Sequence, residues 1–474
     1  MEDSRVVEFY IERKDRPSLV GNIYKGRIKD VLPGMDAAFV DIGWERTAYL
    51  FISEVMIPPI VEEAEWEETK GKPSIEKLLK EGEELMVQVV RDPIGTKGPR
   101  LTSFITLPGR YLVLMPFSNH LGVSRRISNS QERRRLRKLA NQLKPKDMGL
   151  IVRTMAQGKG EEELAMDIEN LLKIWRSINS LYKKVNAPHL LYQEQDLASR
   201  VLRDLFQPEE DKIITDSPQL YRRLRKLSNS FFPGKVNTIK FFRERETLFS
   251  KFGVEQELEK ALQPTVSLKS GGYITIHETE ALVSIDVNTG KYTGEERLEE
   301  TAFRTNLEAA EEIVRQIRLR NLAGIIVVDF IDMRLREHRK KLENYLNELL
   351  KKDRARTQIS RITEFGLIQM TREKTGPSLS QLLCQTCPLC KGSGRIKSLL
   401  TIAGEVERKI RKILKERREK RIRVVLNSEL YQHFMEKGIY RHYKRWVGTK
   451  VYLERGVLPW GEYKIMNSRG EEIH

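Results

Sequence analysis

The chain of 474 residues is too long for one hydrophobic core, so its length predicts three to five compact units. With 39% hydrophobic and 32% charged residues it has the composition of a charge-rich globular protein. No apolar stretch approaches the roughly 20 residues needed to span a bilayer. The net charge of +17 favours a polyanionic partner, of which nucleic acid is the commonest, although excess Lys and Arg can also serve solubility alone. The amino-terminal sequence MEDSRVVEFY lacks the pattern of a secretory signal, which predicts a cytoplasmic protein.

Residues 18–104 show the pattern of a small β-barrel. Short alternating stretches such as LVGNIYKG and MDAAFVDIG are separated by glycines, as in barrels of short strands. An acidic loop at residues 57–83 interrupts the pattern and reads as an insertion. Phe39 and Tyr49 alternate on these strands, where aromatic rings can stack on bases, while Phe39 could instead belong to the core. Lys97 could reach a phosphate or be merely solvated.

Residues 105–198 predict two strands and two helices. The strand YLVLMP precedes a basic helix (QERRRLRKLANQL) and the strand MGLIVRT, and a long helix follows at 161–184. The apolar stripe of that last helix indicates core packing. Arg153 and Thr154 end the second strand, where an Arg beside a hydroxyl can hold a terminal phosphate. Taken alone, this pair is weak evidence.

Two apolar runs farther along the chain each end at a carboxylate. Residues 281–286 (ALVSID) end at Asp286 and residues 324–329 (GIIVVD) end at Asp329, and such aliphatic runs suit strands buried on both faces. Together with Asn288 and Asp332, these groups could supply oxygen ligands to one Mg²⁺ or Mn²⁺. The pattern favours metal-assisted phosphodiester cleavage, although an Asp at a strand end can simply cap the next turn.

The three cysteines, Cys384, Cys387 and Cys390, lie within seven residues. The sequence CPLCKGSG reads as a zinc knuckle, but structural zinc takes four ligands and no His is close in sequence. Two chains that each supply Cys387 and Cys390 could close such a site and form a dimer. A catalytic cysteine is disfavoured because no basic partner is evident.

Together these segments resemble the ribonuclease E/ribonuclease G family of bacterial endoribonucleases, and the short length is most like ribonuclease G. The motifs that carry the resemblance span nearly the whole chain and are GNIYKGRI, AAFVDIG, YLVLMP, GLIVRT, SIDVN, VVDFIDM, DRARTQIS and CPLCKGSG. The resemblance implies a multidomain α+β and α/β fold. Its implied parts are a ribonuclease-H-like structural subdomain (1–17 and 199–261), an OB-fold RNA-binding domain (18–104), a 5′-sensor subdomain (105–198), a deoxyribonuclease-I-like catalytic subdomain (262–383), a zinc link (384–394) and a small C-terminal domain (395–474).

The resemblance also implies roles for individual residues. Asp286 and Asp329 fall on the metal-binding carboxylates, and Asn288 on the third active-site residue. The family's RNA contacts correspond to Phe39, Tyr49 and Lys97. Its pocket for a 5′ monophosphate corresponds to Gly109, Val113, Arg153, Thr154 and Arg356. Tyr49 stands where Phe is expected. Cys387 and Cys390 match the shared zinc pair, whereas Cys384 is additional and could substitute as a ligand or be idle.

The function implied is hydrolysis of single-stranded RNA, leaving a 5′ phosphate and a 3′ hydroxyl. The resemblance adds stimulation by a 5′ monophosphate, roles in rRNA and tRNA processing and mRNA decay, Mg²⁺ or Mn²⁺ at the active site, structural Zn²⁺, and a homodimer or dimer of dimers. Two alternatives stay open. The chain could be an RNA-binding or assembly protein whose carboxylates hold no metal, or a nuclease that acts on DNA.

Overall fold

The computed structural model describes residues 1–13, 15, 17–55, 74–93, 97–232, 236–290, 298–363, 365–416, 421–436 and 450–473. The predicted insertion at 57–83 therefore lies largely outside the described residues. Contacts divide the chain into two units, Met1–Glu373 and Lys374–His474, and both contain helices and strands. The fold is thus mixed α and β, as predicted.

The first part of the larger unit is a closed, OB-like barrel of five strands. These are β1 (Ile23–Leu32), β2 (Ala37–Asp41), β3 (Ala48–Phe51), β4 (Glu84–Arg91) and β5 (Arg100–Thr102), and the short helix α1 (Ile75–Leu78) precedes β4. The barrel closes because β1 pairs with both β2 and β4, while β5 joins β3 to β4. Its core is aliphatic and includes Ile28, Val40 and Leu50. The predicted small barrel is confirmed.

A four-stranded sheet with two helices follows the barrel. The elements are β6 (Leu107–Pro108), β7 (Leu112–Met115), β8 (Leu121–Val123), α2 (Ser130–Leu143), β9 (Gly149–Val152) and α3 (Glu161–Lys184). The sheet order is β6-β7-β9-β8. The apolar stripe of α3 is buried, including Leu164 and Trp175, which confirms that it packs in the core. The strand β10 (His189–Tyr192) then returns to the edge of β1.

A mainly helical segment connects this region to the next sheet. It contains α4 (Leu197–Asp204), β11 (Ile213–Thr215), α5 (Pro218–Phe231), β12 (Ile239–Phe241), α6 (Leu248–Lys251) and α7 (Val254–Leu262). The strands β11 and β12 pair in parallel.

A six-stranded mixed sheet carries the two strands that contain Asp286 and Asp329. Its strands are β13 (Thr265–Ser267), β14 (Tyr273–Glu278), β15 (Leu282–Asn288), β16 (Gly324–Asp329), β17 (Thr357–Ile359) and β18 (Leu367–Arg372), in the order β13-β14-β15-β16-β18-β17. β14 and β15 form an antiparallel pair, and β15 runs parallel to β16. The helices α8 (Leu298–Leu319) and α9 (Arg336–Leu350) supply the core against one face of this sheet.

The expectation that β15 and β16 are buried on both faces is wrong for the described chain. Val283, Ile285 and Val287 are buried, but Asp286 between them is exposed. In β16, Ile326 and Val328 are buried, and the residues between and beyond them are exposed or half-buried. An aliphatic run favours a strand through its β-branched side chains whether or not both faces are covered. The less covered face is the one that carries the carboxylates.

The smaller unit begins with α10 (Leu379–Leu383) and the cysteine segment. It continues with α11 (Leu399–Glu416), β19 (Arg421–Leu426), α12 (Ser428–Glu436), β20 (Lys450–Arg455) and β21 (Tyr463–Met466). The three strands form a sheet in the order β20-β19-β21, whose core includes Val406 and Ile410 of α11. Among the described helices of the whole chain, none combines the length and apolarity required of a membrane span.

Candidate active site and nucleic-acid contacts

The carboxyl ends of β15 and β16 place two carboxylates side by side. Asp286 and Asp329 are register partners on these neighbouring parallel strands, and both are exposed. Asn288, two residues beyond Asp286 on the same strand, donates from Nδ2 to Oδ2 of Asp286 at 2.7 Å. Adjacent strands lie about 4.8 Å apart, so the two aspartates share one small surface. The three residues named from the sequence are therefore brought together.

The electrostatics of this edge suit a cation. Burial raises the pKa of Asp329, and the neighbouring carboxylates of Asp286 and Asp332 raise it further. Such mutual repulsion is relieved when a divalent ion binds between the oxygens, and Mg²⁺ commonly takes one or two carboxylates plus waters and substrate phosphate. The described residues contain no group of three or more His, Cys, Asp or Glu side chains arranged to hold a metal on their own. The donor set fits a hard, partly hydrated ion.

Side chains of α8 hold the loop that follows Asp329. Asn306 is fully buried, and its amide donates to the carbonyl of Ile331 at 2.8 Å and accepts from the N–H of Ile331 at 3.0 Å. Glu299 accepts from the N–H groups of Arg334 and Leu335 at 2.9 and 3.0 Å, ahead of α9. The loop that carries Asp332 is therefore fastened to the helix at two points.

The outer surface of the barrel carries the aromatic pair predicted from the sequence. Phe39 and Tyr49 are direct partners in the β2–β3 ladder, and both are half-buried, whereas Ala38 and Val40 on either side of Phe39 are in the core. Phe39 is therefore not a fully buried core residue. Phe51, which the sequence reasoning missed, meets Tyr49 edge-to-face with ring centroids 5.4 Å apart.

Lys97 lies at the same side of the barrel. It is exposed, and Pro99, two residues later, accepts from the N–H of Tyr49 through its carbonyl at 3.0 Å. The backbone at Gly98 passes so close to Thr47 that a Cβ there would clash with the Thr47 carbonyl. The segment that carries Lys97 is thus fixed against the beginning of β3.

The residues predicted for a phosphate pocket form a second cluster, between β7 and β9. Arg153 donates to the carbonyl of Gly109 and to Oδ1 of Asp204, the latter at 2.6 Å. Thr154 shares a hydrogen bond of 3.2 Å with Ser124, and Val113 pairs with Ile151 in the sheet. Gly109, Val113, Arg153 and Thr154 are therefore neighbours.

The loop after Gly109 is held by a buried carboxylate that the sequence reasoning missed. Asp167 of α3 accepts from the N–H groups of Arg110, Tyr111 and Leu112 at 3.1, 2.8 and 2.9 Å. Asp167 lies so close to Gly109 that a side chain at that position would collide with it. The sequence signal that could have revealed Asp167 is an Asp within the otherwise apolar stripe of α3.

Arg356 is joined to the phosphate-pocket cluster indirectly. It is exposed immediately before β17, and its carbonyl accepts from the N–H of Glu373 at 2.9 Å. Arg126, two residues after the Ser124 that meets Thr154, donates to the carbonyl of Arg354. The hydrogen bond from Arg126 to Arg354 thus connects the loop of Arg356 with the segment that contacts Thr154.

The cysteine segment forms a turn that brings the thiols of Cys387 and Cys390 together. Hydrogen bonds from the backbone N–H groups of Cys390 and Leu389, and then from the thiol of Cys390, lower the pKa of the Cys387 thiol. The turn is closed by the N–H of Lys391, which donates to the carbonyl of Cys387 at 2.8 Å, and Gly392 has φ of 92°. Cys384 and Cys387 are exposed and Cys390 is half-buried. Cys387, whose thiolate is stabilised, and the neighbouring thiol of Cys390 fit half of a tetrahedral zinc site.

Comparisons with known proteins agree on one family. The family model described as "Ribonuclease E/G family" matches residues 106–375. Ribonuclease G of Escherichia coli (strain K12) is 44% identical over 405 residues, which cover 85% of this chain and 82% of that protein. Ribonuclease G of Haemophilus influenzae is 42% identical over 86% of this chain and 84% of that protein. Ribonuclease E of Nostoc sp. is 42% identical over 82% of this chain but only 56% of its own length. The chain therefore belongs to the ribonuclease E/G family.

Proposed function

We propose that this protein is a metal-dependent endoribonuclease that hydrolyses single-stranded RNA and leaves a 5′ phosphate and a 3′ hydroxyl. Family membership makes it an endoribonuclease, a hydrolase that acts on RNA. The observation that carries the mechanism is the register pairing of Asp286 with Asp329 on an exposed sheet edge. The basic net charge of +17 suits the substrate.

In this proposal each residue of the edge has a defined task. Asp286 and Asp329 hold Mg²⁺ or Mn²⁺, and Asn288 orients Asp286 through its 2.7 Å hydrogen bond. The bound ion supplies charge neutralisation and a water of lowered pKa. In the reaction a water oxygen bonds to phosphorus, the bond from phosphorus to the 3′ oxygen breaks, and that oxygen takes a proton to become the hydroxyl. Asn306 and Glu299 keep the loop after Asp329 in place while this happens.

The barrel and the phosphate-pocket cluster are proposed to bind the same RNA strand at two other places. Phe39 and Tyr49 present half-buried rings that can stack on bases, and Lys97 can pair with a backbone phosphate. Gly109, Val113, Arg153, Thr154 and Arg356 are proposed to sense a 5′ monophosphate.

Other features of the predicted function are proposals of the same kind. The division into ribonuclease-H-like, sensor and deoxyribonuclease-I-like subdomains, a Zn²⁺ shared by Cys387 and Cys390 of two chains, and a homodimer or dimer of dimers rest on the family resemblance. So do action in rRNA and tRNA processing and mRNA decay, and a cytoplasmic location.

The decisive experiment compares cleavage with binding. Asp286→Asn and Asp329→Asn are expected to abolish cleavage of a single-stranded RNA oligomer while its binding, measured by fluorescence anisotropy, survives. Glu280→Gln is the matched control, because Glu280 is an exposed carboxylate in the turn at the opposite end of β15. Unchanged cleavage by either aspartate variant would refute the proposed site, and RNA binding without cleavage by the parent protein would favour the alternative of an RNA-binding or assembly protein. A DNA oligomer of the same sequence, cut equally fast, would favour a less selective nuclease.

A separate comparison tests the sensor. The unmodified enzyme is expected to cleave 5′-monophosphorylated RNA faster than RNA with a 5′ hydroxyl, and Arg153→Ala should remove the difference. Arg153→Lys keeps the charge but loses the two-pronged geometry, so it should restore part of the preference. Equal rates on both RNAs by the unmodified enzyme would refute the sensor.

A further inference from the structure

One aromatic side chain near the paired carboxylates is almost fully exposed. Phe365 is 84% exposed, the most exposed aromatic residue in the described part of the chain. Full burial of a Phe side chain would stabilise the fold by about 1.5–3 kcal/mol, and this ring gains almost none of it. A single exposed apolar residue is ordinary on a protein surface, but this one lies at the edge of the sheet that carries Asp286 and Asp329.

The turn that presents Phe365 is firmly held. Thr363 donates through its N–H to the carbonyl of Leu367 at 2.9 Å, and its own carbonyl accepts from the N–H of Gly366 at 3.1 Å. The Thr363 hydroxyl also accepts from the N–H of Leu367 at 3.2 Å. Gly366 has φ of 78°, a left-handed conformation that a residue with a side chain rarely adopts. Phe365 therefore directly precedes two residues, Gly366 and Leu367, whose backbone N–H groups are hydrogen-bonded to Thr363, while Glu364 lies outside the described residues.

The same turn lies at the active-site edge of the sheet. Leu367 is the antiparallel register partner of Asp329, which in turn pairs with Asp286. A Cβ placed on Gly366 would be 3.3 Å from Oδ1 of Asp332, so the turn also touches the loop after Asp329. Strand spacing and residue rise put Phe365 within about 10 Å of Asp329.

We propose that Phe365 stacks on a base of the RNA strand next to the scissile phosphate, an inference that rests on the proposed function. An aromatic face accepts any base, and one such stack contributes about 1–3 kcal/mol. A protein partner is a poor occupant, because a specific interface buries about 800 Å² on each side and this is one ring beside carboxylates. Stacking would hold the adjoining nucleotide while its phosphate meets Asp286 and Asp329.

Substitution combined with base removal tests the contact. Phe365→Ala should lower kcat/KM on a single-stranded RNA oligomer by about 5- to 160-fold, and Phe365→Trp should retain most of the activity. Oligomers with an abasic nucleotide at successive positions around the cleavage site should show one position where base removal costs the parent enzyme as much as Phe365→Ala does. At that position the two changes together should cost no more than either alone. Additive losses at every position would overturn the stack.

A non-cleaving background separates stacking from catalysis. In Asp329→Asn protein, an oligomer with 2-aminopurine at the critical position should be quenched on binding, and Asp329→Asn/Phe365→Ala should bind it without that quenching. The matched control is Phe252→Ala. Phe252 is 40% exposed and precedes α7. Glu257 of α7 pairs with Arg315 near the end of α8 that lies away from the paired carboxylates. RNA binding and cleavage indifferent to Phe365 would overturn this inference alone. Absence of any RNA binding by the parent protein would overturn the proposed function with it.

Discussion

Asp204 offers a sharp test of the proposed phosphate sensor, because it already forms an ion pair with Arg153. Its Oδ1 lies 2.6 Å from one terminal nitrogen of Arg153, and each side chain of the pair is 23% exposed. Burial by itself would raise the pKa of Asp204, but Arg203 and Arg153 outweigh burial and hold that pKa below its ordinary value. Asp204 is therefore a permanent negative charge that a 5′ phosphate must approach. Asp204→Asn removes this charge and can keep the hydrogen bond to Arg153.

The size of the effect follows from Coulomb's law. A phosphate on the opposite edge of the guanidinium would lie about 6 Å from the carboxylate, and with an effective dielectric constant between about 40 and 80 a charge near −1.5 is repelled by roughly 1–2 kcal/mol. Removal of that repulsion should strengthen binding of the 5′-phosphorylated end by about 5- to 30-fold. Asp204→Ala loses both charge and hydrogen bond, so it should gain less.

The assay is the ratio of kcat/KM for 5′-monophosphorylated and 5′-hydroxyl forms of one RNA oligomer. Asp204→Asn should increase this ratio at low salt, the gain should shrink as ionic strength rises, and hydroxyl-ended RNA should be cleaved as by the parent. In an Arg153→Ala background, Asp204→Asn should have no effect on the ratio. A fall in the ratio on Asp204→Asn would refute the reasoning and make Asp204 a group that the sensor needs.

Three further outcomes are expected. Glu312 is buried among Arg5, Arg315 and Gln316, and although burial favours its neutral form, these partners hold its pKa below the ordinary value. Glu312→Gln should lower the free energy of unfolding by about 3 kcal/mol at pH 7. The folded-state pKa of Glu312 lies below the unfolded value of about 4.3. The stability difference between parent and variant should therefore be complete above pH 5 and should shrink as the pH falls through the folded pKa. Urea unfolding that shows the same difference at pH 3 and pH 7 would contradict this. Cys387→Ser should reduce bound zinc and shift the protein toward monomer in metal analysis and sedimentation, while Cys384→Ser should leave both unchanged; full zinc content in Cys387→Ser would exclude it as a ligand. Asn306→Ala removes both hydrogen bonds to Ile331. It should lower kcat at least tenfold and lower the free energy of unfolding by about 1–3 kcal/mol. An unaltered kcat would show that the loop after Asp329 does not depend on Asn306.

Much of the local structure was predictable from residue patterns. The glycine-separated strands of the barrel, the long apolar stripe of α3 and the strand that ends at Asp329 occur as predicted, whereas the strand that carries Asp286 continues to Asn288. The burial of the sheet was not predictable, because β-branched residues favour a strand on either an open or a covered face. The alternation of buried and exposed residues in β15 and β16 shows that one face stays less covered.

Sequence alone determined which chemical groups this protein offers, namely two strand-end carboxylates, an Arg beside a Thr, a cluster of thiols and a barrel with aromatic residues. These follow from short-range periodicity and from motifs a few residues long. Tertiary structure alone decided which groups meet. The pairing of Asp286 with Asp329, the contact of Arg153 with Asp204 and the approach of Gly366 to Asp332 join residues 34 to 51 positions apart. Such pairings depend on strand register and helix docking, which are set by the packing of the whole core and leave no local signature in the chain.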